Sequence, residues 1–152
     1  MKAGSGQANT GEAKGRQTRP RQDLRKRTKD FAMRIVKLYT ALPERGAAQV
    51  LGKQILRSGT SVGAQYREAC RAKSNADFVS KLEGSLQELD ETLYWLELLG
   101  ESRVIEASRL ESLHKEAEEL IAMFVTMVKR VKQKVAMHRA KGVIPHPSAL
   151  IP

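Results

Sequence analysis

Between Leu24 and Val135 the apolar residues return every three or four positions, and no stretch alternates with period two. Leu24, Phe31, Ile35, Leu38 and Leu42 keep helical spacing up to Pro43, which predicts a first helix with Asp23 as its N-cap. Pro43-Glu44 opens a second, since proline suits the first helical position. Its apolar members Leu51, Ile55, Val62, Tyr66 and Ala69 gather on one side at about 100° per residue. Ser74-Asn-Ala-Asp77 carries a capping signature ahead of Phe78, Leu82, Leu86, Leu89, Leu93 and Leu96, a third helix with Gly100 expected at its C′ position. A fourth is predicted from about Ser102 to about Arg139, through Leu110, Leu113, Ala117, Leu120, Phe124, Val128, Val131 and Val135.

Four amphipathic helices on short connections predict an all-α, up-and-down antiparallel four-helix bundle over residues 23–140. Residues 1–22 read as a flexible basic tail, too poor in apolar side chains to offset the entropy of ordering. Residues 141–152, with Gly142, Pro145 and Pro147, read as an irregular C-terminal tail. The longest apolar run, Leu120 to Val128, is too short to span a bilayer, and the N-terminus lacks the apolar stretch of a secretory signal. With a single cysteine, Cys70, no internal disulfide is possible, so a cytoplasmic protein is expected, with no membrane partner.

Charge sharpens this picture. The formal net charge is +10, which favours anionic partners, RNA or DNA, with an anionic membrane surface as the competing reading. Residues 24–40 carry +5, including Lys26, Lys29 and Lys37; residues 91–128 carry −5; residues 129–152 carry +6, including Lys129, Arg130, Lys132 and Lys134. In an up-and-down bundle the start of helix one and the end of helix four lie at the same end. Lys53, Arg57, Arg67 and Arg71 share one face of the second helix, opposite its apolar stripe, and a row of that kind can track a phosphate backbone without reading sequence. The alternative is a solvated face laced with salt bridges. With only seven aromatic residues, most on core stripes, base stacking is the weaker mode.

Motifs for catalysis are poorly matched. Gly59-Thr-Ser-Val-Gly63 is one residue short of a Walker loop and is followed by Ala64-Gln65 in place of Lys-Ser, so a phosphate cradle is disfavoured. The two glycines instead fall four residues apart on one helical face, where a neighbouring helix can approach closely. Glu111-Ser-Leu-His114 is half of a di-iron signature that needs a second copy and two more inward carboxylates. Glu88, Asp90, Glu91 and Glu97 read as a solvated helix face, and Cys70 as a small packed thiol. No catalytic residue, metal ligand or cofactor is therefore assigned.

The stretch Tyr94-Trp-Leu-Glu-Leu-Leu99 is apolar nearly all round; Trp95, Leu98 and Leu99 point away from the expected seam, and Tyr94 is grouped with them. Together with Gly59 and Gly63 they form the expected oligomer interface, unless a neighbouring connection covers them within one subunit.

From about Thr28 to Leu99 the chain resembles the bacterial four-helix-bundle proteins of the 23S rRNA intervening-sequence family. The matching elements are Gln54-Ile-Leu-Arg57, Ser61-Val-Gly-Ala64, Tyr66-Arg-Glu-Ala69, Ser74-x-x-Asp77-Phe78 and Glu91-Thr-x-Tyr-Trp-Leu96. Gln65 stands where that family usually has Asn. The resemblance implies a homopentamer of bundles arranged as a barrel, an association with nucleic acid, and no enzymatic activity. Related basic pentamers accompany reverse transcriptases in diversity-generating retroelements. The expected function is thus a non-enzymatic homo-oligomeric bundle that binds RNA or DNA backbone through basic faces. Its alternative is an interaction scaffold for an RNA-processing enzyme or a reverse transcriptase.

Overall fold

The computed structural model describes residues 20–142 and the side chains of 24–142. Four helices follow one another, α1 (Pro20–Ala41), α2 (Gly46–Ala69), α3 (Asn75–Glu101) and α4 (Glu111–Ala140), with a short 3-10 turn at Ala107–Arg109 before the last. No strand occurs among the described residues. Side-chain pairs set each neighbour antiparallel to the next. Gly63 faces Thr28 and Gly52 faces Leu42 across α1 and α2. Glu68 pairs with Lys81 and Arg57 with Glu91 across α2 and α3. Lys132 meets Glu83 across α3 and α4, and Arg27 meets Glu116 across α1 and α4.

The core joins Phe31 and Ile35 of α1, Ile55, Val62 and Tyr66 of α2, Phe78, Leu82 and Leu89 of α3, and Leu120 and Phe124 of α4, all essentially sealed from solvent. The Tyr66 and Phe124 rings stack with centroids 5.5 Å apart, tying α2 to α4 through the centre. Burial of side chains of this size stabilises the fold by about 1.5–3 kcal/mol each.

Helix α2 is the closely held element. Gly59 and Gly63 are buried against α1, so the face expected at an oligomer interface packs within the subunit. On its other flank α2 meets α3 through small hydroxyls. Thr92 Oγ1 donates to Ser58 Oγ at 2.8 Å, Ser58 Oγ donates in turn to the Gln54 carbonyl, and Ser85 Oγ donates to the Val62 carbonyl. These groups are fully buried and fully partnered, so they permit close approach without a desolvation penalty.

Several helix ends differ from expectation. α1 starts at Pro20, whose fixed φ suits a first turn, which places Asp23 inside the helix rather than at its cap. α2 begins at Gly46, at φ +62, a left-handed start closed to proline; Pro43 and Glu44 belong to the connection. Ser74 does cap α3, accepting from the Asp77 amide at 3.1 Å. Gly100 lies inside α3, however, where Ala107 packs onto it, and Arg103 takes the left-handed C′ position at φ 58. The chain then presses Val104 and Ile105 against the core, so α4 starts at Glu111 instead of near Ser102.

Candidate nucleic-acid interface

The register between α1 and α2 assembles a cationic depression from residues far apart in sequence. Thr28 is buried, its hydroxyl donating to the Leu24 carbonyl at 2.8 Å, and it packs beside Gly63. One turn outward on each helix, Arg25, Lys26 and Lys29 of α1 and Arg67 of α2 line a single shallow hollow. Lys26 reaches Asp30 at 2.6 Å, whereas Arg25, Lys29 and Arg67 have no ion pair among the described residues. Like charges crowded in this way are relieved by an anion, and a phosphate oxygen suits a cluster with two guanidinium forks.

The other expected cations are distributed differently. Arg57 is held by two carboxylates of α3, Glu88 at 3.3 Å and Glu91, and is therefore spent on the α2–α3 contact. Arg71 follows the Cys70 cap and is exposed beyond the end of α2, so the four-residue row does not exist as one helix face. Lys53 and Lys37 are exposed on α2 and α1, two turns or more from the depression. Lys129, Arg130 and Lys134 are exposed on the second half of α4, while Lys132 is paired with Glu83 at 2.8 Å. That half of α4 points to the bundle end that holds the start of α1 and the end of α2. Arg27 is a strut rather than a contact: its guanidinium grips Glu116 through two nitrogens, at 3.1 and 2.9 Å, and reaches Glu119 at 3.0 Å.

Arg25 was the residue that spacing alone did not select. It sits four positions before Lys29 on α1, but its nearness to Arg67 depends on an interhelical register that one helix's pattern cannot carry.

The apolar patch also resolves. Leu99 is fully buried in the core beside Leu96 and Leu110, which removes it from any interface. Tyr94 is 53% exposed and Leu98 half-buried; Trp95 is partly buried beside Tyr94, ring centroids 5.0 Å apart. The buried indole N–H of Trp95 meets no acceptor among the described residues. Cys70 is partly buried at the cap of α2. No group of three or more His, Cys, Asp and Glu stands together for a metal among the described residues, and His114 lies between Glu97 and Glu118 at 3.6 and 3.7 Å. No described helix is long and apolar enough to cross a membrane.

The model of the 23S rRNA-intervening sequence protein family matches residues 7–126. The chain belongs to that family. Within solved structures it is similar to a protein of unknown function from the S23 ribosomal protein family of Bacteroides thetaiotaomicron. The two are 41% identical, with a TM-score of 0.68, over 72% of this chain and 97% of that one. No curated protein matches. The family match thus extends beyond the Thr28–Leu99 motifs to most of the bundle, including the Arg25, Lys26, Lys29 and Arg67 depression. Gln65 donates its amide to Glu88 at 3.4 Å and rests over Gly84.

Proposed function

We propose that this chain is a non-enzymatic, homo-oligomeric helical bundle that binds the phosphate backbone of RNA or DNA. The observation that carries the reading is the convergence of Arg25, Lys26, Lys29 and Arg67 on one hollow, three of them without an ion pair among the described residues. The basic second half of α4 extends the positive field at the same end. Contacts of this kind recognise phosphate and not sequence, so affinity should be general and strongly salt-dependent. The family name, tied to intervening sequences of 23S rRNA, agrees with an RNA partner. For self-association, the family resemblance supports a pentamer, and the exposed Tyr94, half-buried Leu98 and the Trp95 N–H without an acceptor among the described residues offer a surface for it.

The test is fluorescence anisotropy with single-stranded RNA, duplex RNA, duplex DNA and heparin across a salt series. Binding to the nucleic acids should tighten as salt falls, with a steep linear slope of log affinity against log salt. The Arg25→Glu, Lys29→Glu, Arg67→Glu triple variant should lower affinity and flatten the salt slope while leaving the oligomer mass unchanged. Affinity untouched by the triple change would remove this hollow as the site. A second reading, a scaffold for a reverse transcriptase or an RNA-processing enzyme, would then stand, with the cations steering a protein partner.

A further inference from the structure

The bundle end opposite the cationic depression carries an open groove of about 660 Å³ between the last turns of α3, the 3-10 turn and the first turns of α4. Leu96, Gly100, Ala107 and Leu110 make its largely apolar floor. Gly100 keeps that floor low, because a side chain there would stand 3.4 Å from the Ala107 Cβ. Glu97, Glu101, Glu111 and Glu118 rim the groove, against one lysine, Lys115. Glu101 and Glu111 have no ion pair among the described residues, and Glu97 and Glu118 reach only His114, at 3.6 and 3.7 Å.

We propose that this groove is a docking site for a basic amphipathic helix of a different protein. The floor takes aliphatic side chains, and rim carboxylates that lack cationic partners call for lysine or arginine beside them. The walls are helices and offer no strand edge, so an occupant must close its own backbone hydrogen bonds, as a helix does. From Glu111 to Glu118 the rim runs about 10 Å along α4, two turns of helix. Aliphatic residues at i, i+4 and i+7 of the partner reach the floor together over that length, and cations on the flanks of the stripe meet the glutamates.

No segment of residues 1–152 offers this pairing. The aliphatic stripes of α1 to α4 are committed to the core. Residues 1–19 hold no Leu, Ile, Val or Phe, and residues 143–152 hold three prolines and no Lys or Arg. The site needs no neighbouring copy and lies apart from the cationic depression, so it goes beyond the proposed function and stands or falls separately from it.

The experiment is binding of a designed helix to the full chain. The probe is a fluorescein-labelled peptide, Leu-Lys-Lys-Leu-Leu-Lys-Leu-Leu-Lys-Lys-Leu-Leu-Lys-Leu, whose leucines form one stripe. A control peptide of the same composition spreads its leucines round the helix. Anisotropy at physiological salt reads affinity, and NMR shift mapping reads the place. Saturable binding of the striped peptide is expected, with shifts gathered on residues 96–118 and about tenfold weaker binding of the control. Glu97→Lys with Glu101→Lys should weaken the striped peptide by about tenfold, whereas Glu83→Lys with Asp90→Lys, equal in charge and outside the groove, should change it less than about twofold. Ala107→Tyr, an exposed position whose new ring fills the groove without altering its charge, should weaken binding likewise, and decides the matter if the charge reversal folds poorly. No saturable binding, equal loss in both charge-reversed pairs, shifts gathered elsewhere, or a control peptide that binds as well would each overturn the site. Loss of the nucleic-acid reading in the salt series would leave it standing.

Discussion

A Cβ placed on Gly59 would stand 2.6 Å from Ile35 Cγ1 and 2.9 Å from Ile35 Cγ2, closer than side chains tolerate. Both carbons sit on the branched β-carbon of a residue stiff at χ1, so the helices themselves must part to admit a methyl group. Gly59→Ala should therefore destabilise the bundle by about 1–3 kcal/mol from overpacking, offset in part by about 1 kcal/mol of gained helix propensity. Urea denaturation of Gly59→Ala, Ile35→Ala and the double variant would check it. The double variant should lose less than the two singles summed; strict additivity would show that the two residues do not press on each other.

Among the described residues Ser74 is the one helix N-cap whose side chain accepts a capping bond, from the Asp77 amide at 3.1 Å. Ser74→Ala should lower stability by about 1 kcal/mol, and Ser74→Asp should restore most of it. A thermal melt in which Ser74→Ala matches wild type would show the cap contributes nothing.

Arg57 gives a contrast with the depression. Arg57 and Glu91 are about half exposed whereas Glu88 is largely buried, so Arg57→Glu should cost at least about 1 kcal/mol of stability, with added repulsion from the two glutamates. Nucleic-acid affinity should change far less than in the Arg25, Lys29 and Arg67 triple variant. A larger affinity loss at Arg57 would move the site to the α2–α3 face.

The Lys81 ammonium is held above the ordinary lysine value by its hydrogen bond to Glu68, by the charge of Glu68 and, more weakly, by Asp77, against a small opposing effect of burial. A raised value means the stabilisation is fully present below the unfolded lysine pKa and is lost as pH climbs through the folded one. Glu68→Gln should thus bring Lys81 down, read by NMR titration of its Nζ, and the part of the stability difference that depends on the charged ammonium should be lost in strong alkali. An unmoved Lys81 would assign the effect elsewhere.

Trp95 is the only tryptophan in the chain, so its emission reports its own surroundings. If the Tyr94, Trp95 and Leu98 surface is covered by another subunit, dilution should red-shift the emission as the oligomer mass falls. A mass that drops with no spectral change would place the interface away from Trp95.

Helix count and most of the core were legible because Phe78, Leu82, Leu89 and Leu96 announce themselves by size and spacing. The third helix shows where that logic bends. Its buried stripe runs through Ser85 and Thr92, while Leu86 and Leu93 sit half-buried at its edge. Hydroxyls that find a carbonyl or another hydroxyl across the seam can be buried at little cost, and their small size brings α2 close. Placing the seam over the leucines rotates the helix, which is why Leu99 was expected outside and is found inside. Helix ends misled for a related reason. Gly100 looked like a terminator, yet its lack of a side chain serves packing under Ala107, and Arg103 turns the chain instead. In the candidate site the cations were visible one helix at a time, but only the α1–α2 register shows that Arg67 joins Arg25 and Lys29 whereas Arg57 turns to α3.

Helix α4 changes sign along its length, from Glu111, Glu116, Glu118 and Glu119 to Lys129, Arg130, Lys132, Lys134 and Arg139. Thirty residues span about 45 Å, so this separation is long compared with the roughly 8 Å over which physiological salt damps a field. A polyanion nearby therefore exerts a torque as well as a pull. In the proposed binding the basic end would turn toward the polyanion before the two touch.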